Sequence, residues 1–223
     1  MTEKLQKQLK PLIYSTIEKL KSKKFKKDPI GGEHFSKITS LMSSAYKRHG
    51  LILEYAFLNL LKNNQNFDAW EDKEFKVSRP ADDLASSFIE NPLEVYNTET
   101  SYSTHRAVRT LQIDLITYNK RTKELSAYEI KRSNGSHDAG KKRQILRDIL
   151  CVQVLLKSYG ESKNFEVKSA RSYIINYYGI RDIVKPFSII NTELDEHFGF
   201  SVYRQIEEIN EIYRKKLFEI LSR

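Results

Sequence analysis

The stretch from Leu111 to Arg132, LQIDLITYNKRTKELSAYEIKR, holds the residue types from which a reaction centre could be built: Asp114, Glu129 and Lys131. Two carboxylates held close together repel, and each raises the other's pKa. A divalent cation relieves that repulsion. Carboxylate oxygens that leave room for water and a phosphate oxygen suit Mg²⁺, and a neighbouring lysine can orient or help deprotonate an attacking water. The same three residues are equally consistent with an exposed cross-strand charge network, which is common in a chain that is 30% charged.

Two strands and a polar turn must position these groups. In the first strand Leu111, Ile113, Leu115 and Thr117 alternate with Gln112, Asp114, Ile116 and Tyr118, so Asp114 is expected to point away from the apolar face. In the second, Leu125, Ala127, Glu129 and Lys131 share one face. With Asn119 to Glu124 as the turn, Tyr118 sits opposite Leu125 and Asp114 opposite Glu129, their Cβ atoms about 5 Å apart.

An Asp on one strand, followed fifteen positions later by Glu-x-Lys on the next, resembles the signature of the PD-(D/E)XK nuclease superfamily, the restriction-endonuclease-like fold. The resemblance covers about Arg48 to Tyr178, and Ile113 stands where the superfamily usually has Pro before its Asp. It implies an α/β core of α-β-β-β-α-β order, a mixed sheet flanked by helices, with extra N- and C-terminal helices. It further implies a Mg²⁺-dependent DNA endonuclease, Mn²⁺ substituting, most like a type II restriction enzyme. Asp114 and Glu129 would then hold the metal, with the carbonyl of Ile130 contributing, and Lys131 would act on the hydrolytic water.

The flanking chain carries the pattern this core needs. A run from Phe35 to Lys62 reads as a helix whose second half, GLILEYAFLNLL, is apolar nearly all round and so expected to be buried. Its one charge is Glu54, and a buried carboxylate needs a partner or a metal. Arg48-x-Gly50-x-x-x-Glu54 looks like the superfamily element that completes the metal site; an internal Arg or a backbone amide could serve Glu54 instead. Phe67–Val77 and Leu93–Ser101 are candidate strands, and Asp82 to Glu90 a short helix capped by Asp82 and Asp83. Pro80-Ala81-Asp82-Asp83 is a rival source of the first acidic ligand. After Lys131 comes a polar loop opening with Arg132, Ser133 and Asn134, then a helix from Ala139 to Tyr159 stopped by Gly160. Its first turns hold Lys141, Lys142, Arg143 and Arg147, which oppose the helix dipole unless phosphates approach there. These loop and helix residues are the candidate DNA contacts. Gln144 and Gln153 are read as ordinary surface or core residues, and His105 and His137 as exposed loop histidines. Arg171–Tyr178 and Phe187–Asn191 read as further strands.

At 223 residues, with thirteen Tyr and eleven Phe, the chain is expected to fold as one nuclease domain. Within it 1–34 is a basic helical extension, 35–192 the catalytic core and 196–223 a C-terminal helix, whose near-heptad stripe would allow a homodimer. A net charge of +9 and a pI near 9.4 call for an anionic partner, nucleic acid before a membrane surface, and the resemblance implies that it is double-stranded DNA. A dense lysine run, Lys19 to Lys27, is either a solvated helix end or a phosphate-contacting arm. Cys151 is the only cysteine, which rules out an intrachain disulfide and fits a reducing compartment. No uninterrupted apolar run reaches membrane-spanning length, so a soluble, cytoplasmic protein is expected. Other readings stay open: a structure-specific repair nuclease or junction resolvase of the same fold, a non-catalytic nucleic-acid-binding module, or a basic protein whose long terminal helices bind protein partners.

Overall fold

Leu5, Leu9, Ile13, Ile17 and Leu20 recur at helical spacing, and in the computed structural model they are the buried stripe of α1 (Glu3–Lys21). The structure describes residues 3–222 except 23, 25, 106, 134 and 136. Contacts divide the chain into two units, Met1–Leu60 with Phe198–Arg223, and Leu61–His197.

The first unit is helical. It contains α1, most of α2 (Gly32–Lys62) and a C-terminal helix, Tyr203–Leu221, which packs against α1. That last helix buries Ile206, Ile209, Tyr213 and Leu217, the stripe expected of it. Tyr213 donates its hydroxyl to the carbonyl of Ala45 at 2.9 Å, and His49 Nε2 lies 2.9 Å from Asn210 Oδ1, which ties the helix to α2 through buried polar groups. The second half of α2 is not buried all round: Leu51 is 52% and Tyr55 44% exposed, while Ile52, Leu53, Ala56 and Phe57 are buried.

The second unit is α/β, an open mixed sheet flanked by helices. Its strands are β1 (Phe67–Ser78), β2 (Ala107–Asn119), β3 (Glu124–Lys131), β4 (Ser169–Asn176) and β5 (Ser188–Ile190), in that spatial order. β1, β2 and β3 run antiparallel, and β3, β4 and β5 parallel. Between β1 and β2 lies α3 (Arg79–Ser87); between β3 and β4, α4 (Ala139–Ser162) crosses over one face. α5 (Leu194–Phe198) and α6 (Tyr203–Leu221) close the chain. Ile145, Ile149, Val152, Leu155, Leu156 and Tyr159 of α4 pack on Ile116, Leu125, Ala127 and Ile174 of the sheet, each fully buried aliphatic side chain contributing about 1.5–3 kcal/mol. No helix among the described residues is long and apolar enough to cross a membrane.

Several local expectations are corrected. Residues 93–101 form no strand: Pro92–Asn97 is a 3₁₀ turn, and the following backbone turns to α4, with Thr100 N–H donating to the Val154 carbonyl (2.8 Å) and Tyr102 N–H to Ser158 Oγ (3.0 Å). α3 begins at Arg79 with Ser78 as its cap position, because Pro80 suits the first helical turn. Asp82 and Asp83 therefore lie inside the helix and cap nothing. Gln153 is buried and clamps β4, donating to the Ala170 carbonyl (3.0 Å) and accepting from Ser172 N–H (2.9 Å).

Gly160 does not stop α4, which continues to Ser162. A Cβ there would stand 2.6 Å from Leu125 Cδ2 and 2.7 Å from Val167 Cγ2, so the glycine permits close approach of helix and sheet. Gly160→Ala gains helix propensity but overpacks a fully buried leucine. A net loss of about 1–2 kcal/mol is expected by urea unfolding; an unchanged or raised midpoint would contradict this packing role.

Candidate active site

The register of the central hairpin is the expected one. Tyr118 pairs with Leu125, Ile116 with Ala127 and Leu115 with Tyr128. There the ladder ends and Asp114 follows. Its carboxylate takes the hydrogen bond the next pair would have made, Oδ2 accepting from Ile130 N–H at 2.7 Å.

The reason lies on the other neighbour. Trp70 pairs with Ile116 and Asp72 with Ile113, so Glu71 of β1 stands opposite two residues of β2, Asp114 and Leu115. This is a β-bulge, which re-aims side chains and slips the alternation by one. Ile113 and Ile116 consequently join the same core cluster under α4 instead of facing opposite ways, which corrects the strict alternation read from the sequence.

Asp114 is partly buried beside Glu129. Burial raises its pKa to about 6, and the charge of Glu129 adds to the rise against the opposing Ile130 N–H and Lys131. Lys131 forms an ion pair with Glu129. In an extended strand a residue's N–H and C=O point the same way, so the Ile130 carbonyl faces the β2 side, where the ladder has ended. Glu129 and Lys131 line a cleft of about 220 Å³ between sheet and α4, together with Gln112, Lys141, Asp148 and Tyr173. Asp114, Glu129, Ile130 and Lys131 are thus brought together, with Lys141 lining the cleft from α4. Glu54 belongs to the helical unit, where it is half-buried. No three Asp, Glu, His or Cys side chains converge as a metal site among the described residues.

The other expected contacts are largely engaged elsewhere. Lys142 reaches Asp182 at 3.1 Å, Arg143 reaches Glu90 at 3.3 Å, and Arg147 binds Asp82. Each of these three cations thus has a carboxylate beside it. Asp138 caps α4, its side chain accepting from Lys141 N–H at 2.9 Å. Lys141 itself has no carboxylate partner among the described residues. Ser133 is buried and donates to Asn176 Oδ1 at 2.7 Å, so its hydroxyl is not presented to a ligand. Arg132 lies over the Tyr178 ring, 5.3 Å from its centroid. Asn134 lies outside the described residues. His105 is exposed as expected, but His137 is not a plain loop histidine: its Nδ1 is 2.5 Å from Asp182 Oδ2.

Three groups escaped the sequence reading. Glu71 acts on Asp114 across the bulge, and only the uneven spacing of Trp70, Phe75 and Val77 hints at it. Asp148 lines the cleft. Arg109 fixes Asp148 in place through Nη1 at 2.6 Å, with Asp82 on Nε at 2.8 Å and Cys151 Sγ on Nη2 at 3.1 Å. Burial works against the Arg109 charge, but Asp148 and Cys151 more than restore it. Asp82, the rival acidic residue, is held between Arg109 and Arg147. Burial pushes the Cys151 thiol up to about 12 despite the adjacent guanidinium, so it is no nucleophile at neutral pH.

Comparison of the chain with protein-family models, with curated proteins and with solved structures found no match.

Two aspartates should respond oppositely to loss of charge. The Asp114 carboxyl, at about 6 when folded, lies above its ordinary 3.8, so folding favours the protonated form. Its destabilising effect is absent below the unfolded value and fully present above about pH 6. Asp114→Asn keeps the acceptor for Ile130 N–H and is expected to raise stability by about 1–3 kcal/mol at pH 7, the gain vanishing near pH 4. Asp82→Asn leaves two partly buried guanidinium groups short of charge and should cost about 2–4 kcal/mol. Denaturant unfolding at both pH values reads each sign, and a destabilising Asp114→Asn would mean that the pair is an ordinary structural one.

Proposed function

We propose that this chain is a metal-dependent endonuclease acting on duplex DNA, with a restriction-endonuclease-like core and the layout of a type II restriction enzyme. The observation that carries the reading is the meeting of Asp114, Glu129, the Ile130 carbonyl and Lys131 where β2 and β3 part, beside a cleft. The element order α2, β1, α3, β2, β3, α4, β4 supports it, being the α-β-β-β-α-β order of the resembled superfamily with α3 inserted between the first two strands.

The donor set fits a hard divalent cation: two carboxylates and a carbonyl, with no thiolate or imidazole among them. The raised Asp114 pKa is what a carboxylate pair short of positive charge should show. Asp114, Glu129 and the Ile130 carbonyl would hold Mg²⁺, or Mn²⁺ in its place, leaving the remaining positions to water and phosphate. When bound, such an ion neutralises the pair and polarises a phosphate oxygen.

The chain's own groups supply the rest. Lys131, beside Glu129, would orient the water that attacks phosphorus and stabilise the negative charge of the pentacovalent phosphate. Lys141, which lines the cleft from α4, would meet a phosphate oxygen, a contact that holds the backbone without reading sequence. Hydrolysis that breaks the bond to the 3′ oxygen leaves a 5′-phosphate.

Incubation of plasmid and phage DNA with and without Mg²⁺ tests the reading. Discrete fragments are expected only with metal, and Glu129→Ala and Lys131→Ala should each slow cleavage by about a hundredfold or more. Smeared products would point to a repair or nonspecific nuclease of the same chemistry. No cleavage of duplex, branched or single-stranded DNA by the intact chain would sink the catalytic reading.

A further inference from the structure

The charge of this protein is not spread evenly. The helical unit carries seventeen Lys and Arg against nine Asp and Glu, a net charge of +8, whereas the sheet unit carries twenty-one against twenty, or +1. The positive balance of the chain therefore resides almost wholly outside the unit that holds Asp114 and Glu129. Within the helical unit it is concentrated again: the first 27 residues contain nine lysines, no arginine and two glutamates.

These lysines face outward. Lys4, Lys7, Lys19, Lys24, Lys26 and Lys27 are exposed, and none has a carboxylate partner among the described residues. The contrast with α4 is direct, because there three of four basic side chains are matched by acids. Unmatched like charges on one short segment repel, and an anionic partner relieves that repulsion.

We infer that the lysine-rich face of α1 and the turn after it, Lys4 to Lys27, is the chain's principal nucleic-acid-docking surface, binding the phosphate backbone without regard to sequence. Lysine is a compact point charge that neutralises phosphate, whereas bidentate reading of guanine favours arginine, which is missing here. An anionic membrane is the rival polyanion. The apolar stripe a membrane-lying helix would insert, Leu5, Leu9, Ile13, Ile17 and Leu20, is already buried in the protein at 0–3% exposure, which favours nucleic acid. The choice of DNA as the nucleic acid rests on the function proposed above; the location of the surface does not.

The test is equilibrium binding of the full chain to duplex DNA across a salt series, with chelator present so that no cleavage intervenes. Lys4, Lys7, Lys19, Lys24, Lys26 and Lys27 are changed together to Gln. A second variant changes the same residues to Arg, and a control changes Lys62, Lys73, Lys120, Lys163, Lys168 and Lys185 to Gln. The first variant should flatten the slope of log K against log salt by about three to five. The arginine variant should retain the slope, and the sheet-unit control should lose less than one unit. Circular dichroism of each variant separates lost charge from lost folding, and the arginine variant keeps the comparison informative if the glutamine variant unfolds. Equal loss in the control, an unchanged slope in the first variant, or tighter salt-dependent binding to phosphatidylserine vesicles than to DNA would overturn the inference. Metal-dependent cleavage alongside any of those results would leave the proposed activity standing.

Discussion

The bulge that sets Glu71 against both Asp114 and Leu115 is the constraint on which the site depends. Without the extra residue β2 would stay in register with both neighbours, and the Ile130 N–H would bond the backbone of Ile113. With it, the ladder stops at Leu115 and Tyr128, and the Asp114 carboxylate becomes the acceptor for Ile130. One inserted residue thus opens the seam between two strands and fills it with a charged group. The alternation slip also keeps Ile113 and Ile116 both in the core, so the opening leaves no apolar side chain exposed on the α4 side.

Holding the seam open requires rigid surroundings, because a carboxylate so placed is destabilising by about 1–3 kcal/mol above pH 6, a sizeable fraction of a domain's total stability. Arg109 supplies much of that rigidity. It leaves β2 five residues before Asp114 and binds Asp82 of α3 and Asp148 of α4, while Arg147 returns from α4 to Asp82. Two arginines and two aspartates therefore join three elements around the strand that carries the bulge. The network gives Arg147, in the early turns of α4, its carboxylate partner. It also sets Asp148 on the cleft wall, facing the same space as Glu129 and Lys131.

What could be read from the sequence was whatever local periodicity determines. The pairing of Tyr118 with Leu125 follows from a polar turn between two alternating runs, and the meeting of Asp114 with Glu129 follows from that pairing. The long helices were likewise legible, because an apolar stripe at helical spacing has few other ways to be buried. What failed depends on partners far away in the chain. Residues 93–101 resemble a strand, yet their amides turn to Val154 and Ser158 of α4. Gly160 resembles a helix stop, yet it answers to Leu125 and Val167. Each is a local signal overridden by tertiary contact, and no inspection of neighbouring residues would have exposed it.

The same distinction separates two kinds of basic residue in this protein. In the sheet unit twenty-one cations are nearly balanced by twenty acids, and Arg109 and Arg147 are partly buried in ion pairs. Such pairs are screened less by salt than exposed charges are. Lys4, Lys7, Lys19, Lys24, Lys26 and Lys27 stand in solvent with no carboxylate partner among the described residues, so their effect is felt by whatever approaches and falls steeply with ionic strength. A count of net charge would credit both alike. Burial and pairing tell them apart.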